Sequence, residues 1–369
     1  MRINSRDLLG QTAVLIAVAA IIGAIAMQTA ENLRRRGIAS GFAYLDRAAG
    51  FAISSGPVPY SPRDTYARAL AVGLINTLRV SLLAIVIATV LGVGLGVSRL
   101  SRNRIASALA SAYVEIVRNT PLLLQLFFWY SLTQALPAPR ESLQPFAGVF
   151  LCFRGLYFPT VAWYDKGWSF EYPQLVGFDF QGGTSISPEF GSLLMGLSIY
   201  TAAFIGEIVR GGILSVNRGQ RDAAAALGLS RGRTLRLVVL PQALPVIVPP
   251  ATSQVLGLVK NSSLAVAIGY SDLFSVTSTT LNQTGQAIEA LTLAMLVYLA
   301  ISLAISIAMN SYNRSVAIRE RERTPGRIPE PAPSSRLSAL DCRVTSLDPR
   351  WSTQRARMAG IGARPVHRP

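Results

Sequence analysis

The chain has 369 residues, 50% hydrophobic and 15% charged, with mean hydropathy +0.38. That is too apolar for a soluble chain of this size and fits a polytopic membrane protein. The formal charge of +16 is almost all arginine, since Lys166 and Lys260 supply the lysine, and no motif presents those arginines to a groove, so nucleic acid is set aside as a partner.

In chain order, Thr12 to Ala30 is 19 residues without a charge, preceded by Arg2 and Arg6. It is long for the apolar core of a signal peptide and reads as an uncleaved first anchor. A polar stretch to about residue 69, with Pro57, Pro59 and Pro62, precedes a second span, Val80 to Val97, which ends against Arg99, Arg102 and Arg104. Inside it, GVGLG (92–96) lacks the Gly-Lys-Ser/Thr ending of a nucleotide loop, so Gly92 and Gly96 point to close helix packing. Pro121 to Leu136 forms a short third span, with Trp129 and Tyr130 suited to a membrane interface.

Residues 137–188 differ in kind. Arg154, Asp165 and Lys166 break any run of lipid-spanning length, and the aromatic centre YFPTVAWYDKGWSFEYP reads as a small extramembrane insert. Its Tyr157, Trp163, Tyr164, Trp168 and Tyr172 are residue types favoured either at binding surfaces or in an interfacial belt. Phe190 to Val209, about Pro245 to Gly269, and Ile288 to Met309 complete six spans. Beyond them, residues 314–369 hold 12 arginines against 5 acids, a composition that cannot offset its own ordering entropy.

Charge orients these spans. Four arginines lie in 99–119, five in 211–244 and twelve in the tail, whereas 270–287 has no Arg or Lys; the positive-inside rule then puts both termini in the cytoplasm. The loop at 31–69, with six arginines, disagrees, and long loops obey the rule less strictly.

Catalysis finds no foothold. The single histidine, His367, is two residues from the end, and Cys152 and Cys342 lie far apart, so no hydrolytic base, disulfide or metal site is implied. Two polar groupings within the spans stand out. Lys260, Asn261, Ser262 and Ser263 lie in the fifth span, where a buried cation costs about 2.5–3.5 kcal/mol, and either line a pathway or pair structurally. Glu207 and Arg210, three apart on one helix face, can pair at the end of the fourth span, with a structural or a gating role.

The segment RDAAAALGLSRGRTLRLVVLPQ (221–242) interrupts the apolar pattern. Asp222 suits a helix start by its dipole, Ala223 to Leu227 are helix formers, and Gly228 is a left-handed stop. Ser230 can cap a second helix, and Pro241 is expected to halt it before the next span. The alanines leave a low-relief surface suited to another protein's groove, although on these residues alone the segment equally reads as a capped connecting loop.

The spacing of Asp222, Ala223, Ala224, Gly228, Val238, Leu240 and Pro241 resembles the EAA loop of bacterial ABC importer permeases, with Asp for Glu and Val for Ile. Further stretches, at 76–103, 113–130, 202–230 and 258–265 (LVKNSSLA), resemble the polar amino acid permease family. With the extra first span and RGLYFP (154–159), the chain is most similar to the Q-type subunit of general L-amino acid importers, over roughly residues 1 to 323. The resemblance implies an all-α, type I importer permease fold with about six transmembrane helices, five core and one N-terminal. It divides the chain into an N-terminal anchor and periplasmic loop (1–69), a transmembrane domain (70–312) with insert 137–188 and coupling loop 211–244, and a disordered tail (313–369). It also implies an inner-membrane location, an ATPase dimer docked at Asp222, Ala223, Ala224, Gly228, Leu240 and Pro241, a second permease chain, and a periplasmic amino-acid-binding protein. No Walker A sequence occurs here, so ATP and Mg are expected on the partner ATPase and no cofactor on this chain. An ion-coupled secondary transporter is the competing reading, and the scarcity of carboxylates in the spans disfavours it.

Overall fold

The computed structural model describes residues 5–35, 37, 40–53, 56–164 and 167–316; the expected disordered tail lies outside the described residues from 317 onward. Helices α1 (Ser5–Arg35), α2 (Tyr66–Ser98), α3 (Arg104–Asn119) and α4 (Leu122–Gln134) come first. The insert follows as short strands β1 (Leu143–Phe146), β2 (Val149–Cys152), β3 (Gly155–Phe158), β4 (Thr160–Tyr164), β5 (Gly167–Glu171), β6 (Gln174–Val176), β7 (Asp179–Gln181) and β8 (Thr184–Ile186). The chain then returns to helix in α5 (Pro188–Ser215), α6 (Arg218–Ala226), α7 (Arg231–Thr234), α8 (Leu240–Asn261), α9 (Leu273–Thr284) and α10 (Ala287–Val316).

Among the described residues, five helical stretches are long and apolar enough to cross a membrane: 10–29, 66–98, 188–215, 231–268 and 287–315. The span expected at 121–136 is not among them. At 13 residues α4 is only about 20 Å long, short of the ~30 Å hydrocarbon core. Helix α3 precedes it, and the two are broken at Thr120 and Pro121, where the extended backbone that precedes a proline ends the helix. Leu126 of α4 lies under Gly196 and Thr133 meets Ser192 at 3.3 Å, while the Tyr113 hydroxyl of α3 donates to the Ile199 carbonyl at 2.9 Å. Together α3 and α4 thus run along α5 from its Glu207 level to its first turns.

The bundle core centres on α2 against α5. A Cβ at Gly92 would stand 2.6 Å from Ile205, and one at Gly96 2.8 Å from the Gly206 carbonyl and from Val209. The expected packing role of the two glycines is therefore met: their missing side chains let the two backbones touch. Around that seam Val80, Ala84, Ala88, Leu193, Leu197 and Ala202 are buried.

Helix α2 begins at Tyr66, fourteen residues before the expected Val80, capped by the Thr65 side chain, which accepts from the Arg68 amide. Polar Asn76 and Thr77 hid this extension from the hydropathy pattern. Both are fully buried and reach across the bundle: the Asn76 side-chain amide donates to the Ser271 carbonyl at 2.9 Å, and the Leu273 amide donates to Thr77 Oγ1 at 3.0 Å. The same end of α2 carries residues 40–65, whose Tyr44 and Ala49 pack with Leu70, Leu273 and Val276.

The insert is β-structured within an otherwise helical chain. Its strands form a four-stranded antiparallel sheet in the order β1-β2-β3-β8 and two hairpins, β4-β5 and β6-β7. Tyr157, grouped from sequence with surface aromatics, instead stacks with Phe180 and Cys152 in a small core, and its hydroxyl donates to Asp179 at 2.9 Å. Burial and that bond raise its pKa. Trp168 and Tyr172 are exposed, and Cys152 is a buried free thiol.

Candidate functional site

The loop between α5 and α8 is a helical hairpin whose start and finish differ from the sequence expectation. Helix α6 starts at Arg218, with the Asn217 side chain accepting from the Gly219 amide at 2.9 Å, so Asp222 sits mid-helix instead of at the first turn. The asparagine offers a stronger cap than the acid offers as a dipole partner, and the helix extends upstream to reach it. The stop is as expected. Gly228 has φ +74, its amide donates to Ala225 and the Leu229 amide to Ala224, which closes the Schellman pattern.

Ser230 occupies the cap position of α7 but makes no side-chain cap bond, and Pro241 does not halt the helix. Helix α7 runs through a π-helical turn, Leu235–Val239, straight into α8, with Pro241 in the first turn of α8. A π-turn already lacks the i to i−4 ladder that a proline would break, so the proline is accommodated without a stop.

Helix α6 folds back on this turn. Ala224 is buried, whereas Asp222, Ala223, Ala225 and Ala226 are exposed and Leu227 is 81% exposed, giving a flat alanine face with one projecting leucine. Leu240 is partly buried and Pro241 exposed, at the foot of the hairpin. The Arg221 guanidinium donates to the Ile213 carbonyl and ties α6 to the end of α5. Between α6, the π-turn and the end of α2 lies a cavity of about 720 Å³, lined by Ser98, Leu100, Asp222, Ala225, Leu235 and Val239.

One turn deeper is a charge cluster that sequence reading found only in part. Glu207 pairs with Arg210 at 2.6 Å as expected, and also with Arg99, with Arg118 at 4.0 Å. Arg99 and Arg118 had been counted as charges of a connecting loop. The structure instead joins α2, α3 and α5 through one carboxylate facing three guanidiniums. The signal available was the surplus of arginines flanking the only acid near that end of α5.

The LVKNSSLA group does not converge. Ser262 is fully buried, its hydroxyl donating to the Val259 carbonyl at 2.8 Å; Ser263 donates to Lys260 at 2.8 Å; and Asn261 ends α8. Lys260 is exposed, with no ion pair among the described residues. No group of three or more His, Cys, Asp or Glu side chains that could hold a metal occurs among the described residues.

A short helical hairpin docked beneath a bundle of this layout agrees with a family match over residues 69–321, to the binding-protein-dependent transport system inner membrane component. The chain belongs to that family. It is 44% identical over 374 aligned positions, 86% of this chain and 95% of the relative, to the putative amino-acid ABC transporter permease protein YhdX of Escherichia coli (strain K12). To the general L-amino acid transport system permease protein AapQ of Rhizobium johnstonii it is 40% identical, covering 86% of this chain and 93% of the relative. To the glutamate/glutamine/aspartate/asparagine transport system permease protein BztB of Rhodobacter capsulatus it is 37% identical, covering 79% and 88%. A crystal structure of an amino acid ABC transporter with histidines shares the fold, with TM-score 0.50 and 24% identity over 68% of this chain and 95% of that one. As a family member the chain is a multi-pass inner-membrane transport subunit of a type I importer.

Proposed function

We propose that this chain is the permease subunit of a bacterial ATP-driven importer of L-amino acids, coupled to a separate ATPase through α6. The observation that carries the coupling is the exposed alanine face of α6 with Leu227 projecting from it and Gly228 fixing the turn behind. Such a face has too little relief to be a core element and presents a compact knob to a groove. Asp222, Ala223, Ala224, Gly228, Leu240 and Pro241 form the docking element, and the α6 end is the cytoplasmic one, as are both termini.

In this reading a periplasmic binding protein delivers the amino acid on the insert side. ATP and Mg act on the ATPase, and closure of its dimer pulls the α6 hairpins and opens the pathway outward. Glu207 and Arg210, with Arg99 and Arg118, form the gate on the cytoplasmic side. Lys260, Asn261 and Ser263 lie along the pathway wall, with Lys260 free to face it, whereas the buried Ser262 takes the structural role. This chain itself performs no catalysis. Relatives named as amino-acid permeases support the cargo class, and each carries its own printed specificity.

One chain offers one α6 hairpin, whereas an ATPase dimer offers two grooves, so a second permease chain fills the other. Permeases named GltJ and GltK, for one transported pair of acids in Escherichia coli, are both similar to this chain, which supports a homologous but different partner. Two differently tagged copies of this chain, coexpressed with the whole operon, test the point. The heterodimer predicts that neither tag recovers the other from an active complex. Stoichiometric recovery of both would establish a homodimer instead.

A further inference from the structure

We propose that Arg79 is the carboxylate-recognition residue of a vestibule at the periplasmic mouth of the pathway, so that an amino acid released by the binding protein docks its α-carboxylate there. The inference rests on the amino-acid import reading and adds a site to it. Three observations on α2, α5 and the insert carry it.

First, Arg79 lies in the long apolar helix α2, yet among the described residues no carboxylate is within ion-pair distance of it and no hydrogen bond engages it. Its guanidinium instead lies 4.6 Å from the centroid of the Phe190 ring. By contrast, Arg99, Arg118 and Arg210, at the other end of α5, share Glu207. A cation kept in a membrane-spanning helix without an acid faces either a water-filled space or a ligand.

Second, the space is there. Arg79 lines a cavity of about 220 Å³ together with Gly56, Ser185, Ser187, Phe190 and Tyr270. At Gly56 a Cβ would stand a tight 3.1 Å from the Asn76 side chain, and the glycine leaves this wall of the cavity as bare backbone. Phe190 is held in turn by Tyr270, at 5.8 Å between ring centroids, and the Tyr270 hydroxyl donates to the Asn76 carbonyl at 3.3 Å. The aromatic plate therefore fixes the guanidinium plane and leaves its fork free for a bidentate oxygen pair.

Third, the cavity sits where the spans meet the insert. Ser185 belongs to β8 and Ser187 caps α5, on the side opposite α6. A lysine could not reproduce a stacked, bidentate contact, so the site favours an oxyanion with paired oxygens, such as a carboxylate, over a monatomic anion of the same charge.

The test uses the whole complex of both permeases and ATPase in proteoliposomes, with L-glutamine and its binding protein as the probe. Losing a charge-assisted bidentate contact should cut L-glutamine uptake by about tenfold or more in Arg79→Gln, while hydrolysis stimulated by loaded binding protein stays within about twofold of the unmodified complex. Arg79→Lys should recover only part of the uptake. A second readout is independent of turnover and keeps Arg79 in place: Ser185→Cys, on the same cavity wall, should be modified by a membrane-impermeant anionic thiosulfonate added from the periplasmic side. L-Glutamine should slow that labelling, and 4-aminobutanamide, which lacks the carboxylate, should not. Normal uptake in Arg79→Gln, or equal protection of the Ser185→Cys thiol by both compounds, overturns the proposal, as does a thiol there that cannot be labelled. If the unmodified complex itself imports no amino acid, the failure belongs to the import reading instead.

Discussion

The contact of α2 with α5 sets up a sharp comparison between Gly92 and Gly94, two positions in one helix. At Gly92 an added Cβ would stand 2.6 Å from Ile205, about 1 Å inside the ordinary carbon contact distance of ~3.5–4.0 Å. The neighbour is the β-carbon of a branched side chain, and the Ala202 carbonyl is 3.0 Å away, so no flexible tip can swing aside and the helices must part. A gap of that size forfeits a quarter to a half of each dispersion well along the seam, and overpacking of this kind costs about 1–3 kcal/mol. At Gly94 nothing lies within 4 Å, so alanine there meets no atom and gains roughly 0.5–1 kcal/mol of helix propensity. Gly92→Ala and Gly94→Ala should thus shift stability in opposite directions from the unmodified protein, and differ from each other by about 1.5–4 kcal/mol. Thermal unfolding of the detergent-solubilised complex, followed by tryptophan emission, measures it. Equal melting points for the two variants would refute the account of the seam.

At Gly228, where φ is +74, a β-branched side chain opposes the left-handed turn, so Gly228→Val should leave membrane insertion intact and uncouple ATP hydrolysis from uptake; normal uptake at a normal protein level would count against α6 as the docking element. Glu207→Gln leaves three guanidiniums facing one another across a part-buried site and should destabilise the bundle by about 1–3 kcal/mol, read as a lower melting temperature and a raised basal ATPase rate. In the insert, Asp179 is opposed by burial, but the Phe180 amide, the Tyr157 hydroxyl and Arg154 outweigh it and hold its pKa below the ordinary carboxylate value. A carboxylate depressed in the folded state contributes stability above its unfolded pKa that is lost as pH falls through the folded one, so limited proteolysis of the insert should accelerate in acid, and Asp179→Asn should flatten that dependence. Truncation after Arg323 should leave transport unchanged at equal expression, because residues 324–369 carry neither helical periodicity nor core composition.

Much of the bundle was legible because lipid demands long uncharged helices, and hydropathy registers that demand directly. The Gly92 and Gly96 contact was legible for the same reason, as small residues inside a span have few other uses. Where the reading fell short, local chemistry was outvoted by tertiary partners. Asn76 and Thr77 kept the start of α2 out of the expected span because their polar groups meet partners such as residues 271 and 273, nearly two hundred positions away. Pro241 read as a stop because the π-turn that accommodates it leaves no sequence signature. The stretch 121–136 read as a span because its apolar run is long enough on paper, whereas α4 stops at Gln134 after 13 residues. Of the charged sites, the Glu207 and Arg210 pair followed from helix spacing, whereas Arg99 and Arg118 reach Glu207 only through packing. Arg79, just ahead of the expected span, drew no notice as a boundary residue.

The central claim is that α6 transmits the work of a separate ATPase to these spans, and transport by the reconstituted complex tests it most directly. Proteoliposomes containing this chain, its partner permease and the ATPase, with loaded binding protein outside and ATP inside, should accumulate L-amino acid against its gradient. ATP hydrolysis should rise on addition of the loaded binding protein, and Gly228→Val should abolish accumulation. Accumulation driven by an imposed proton or sodium gradient without ATP or the ATPase would contradict the account and establish an ion-coupled transporter in its place.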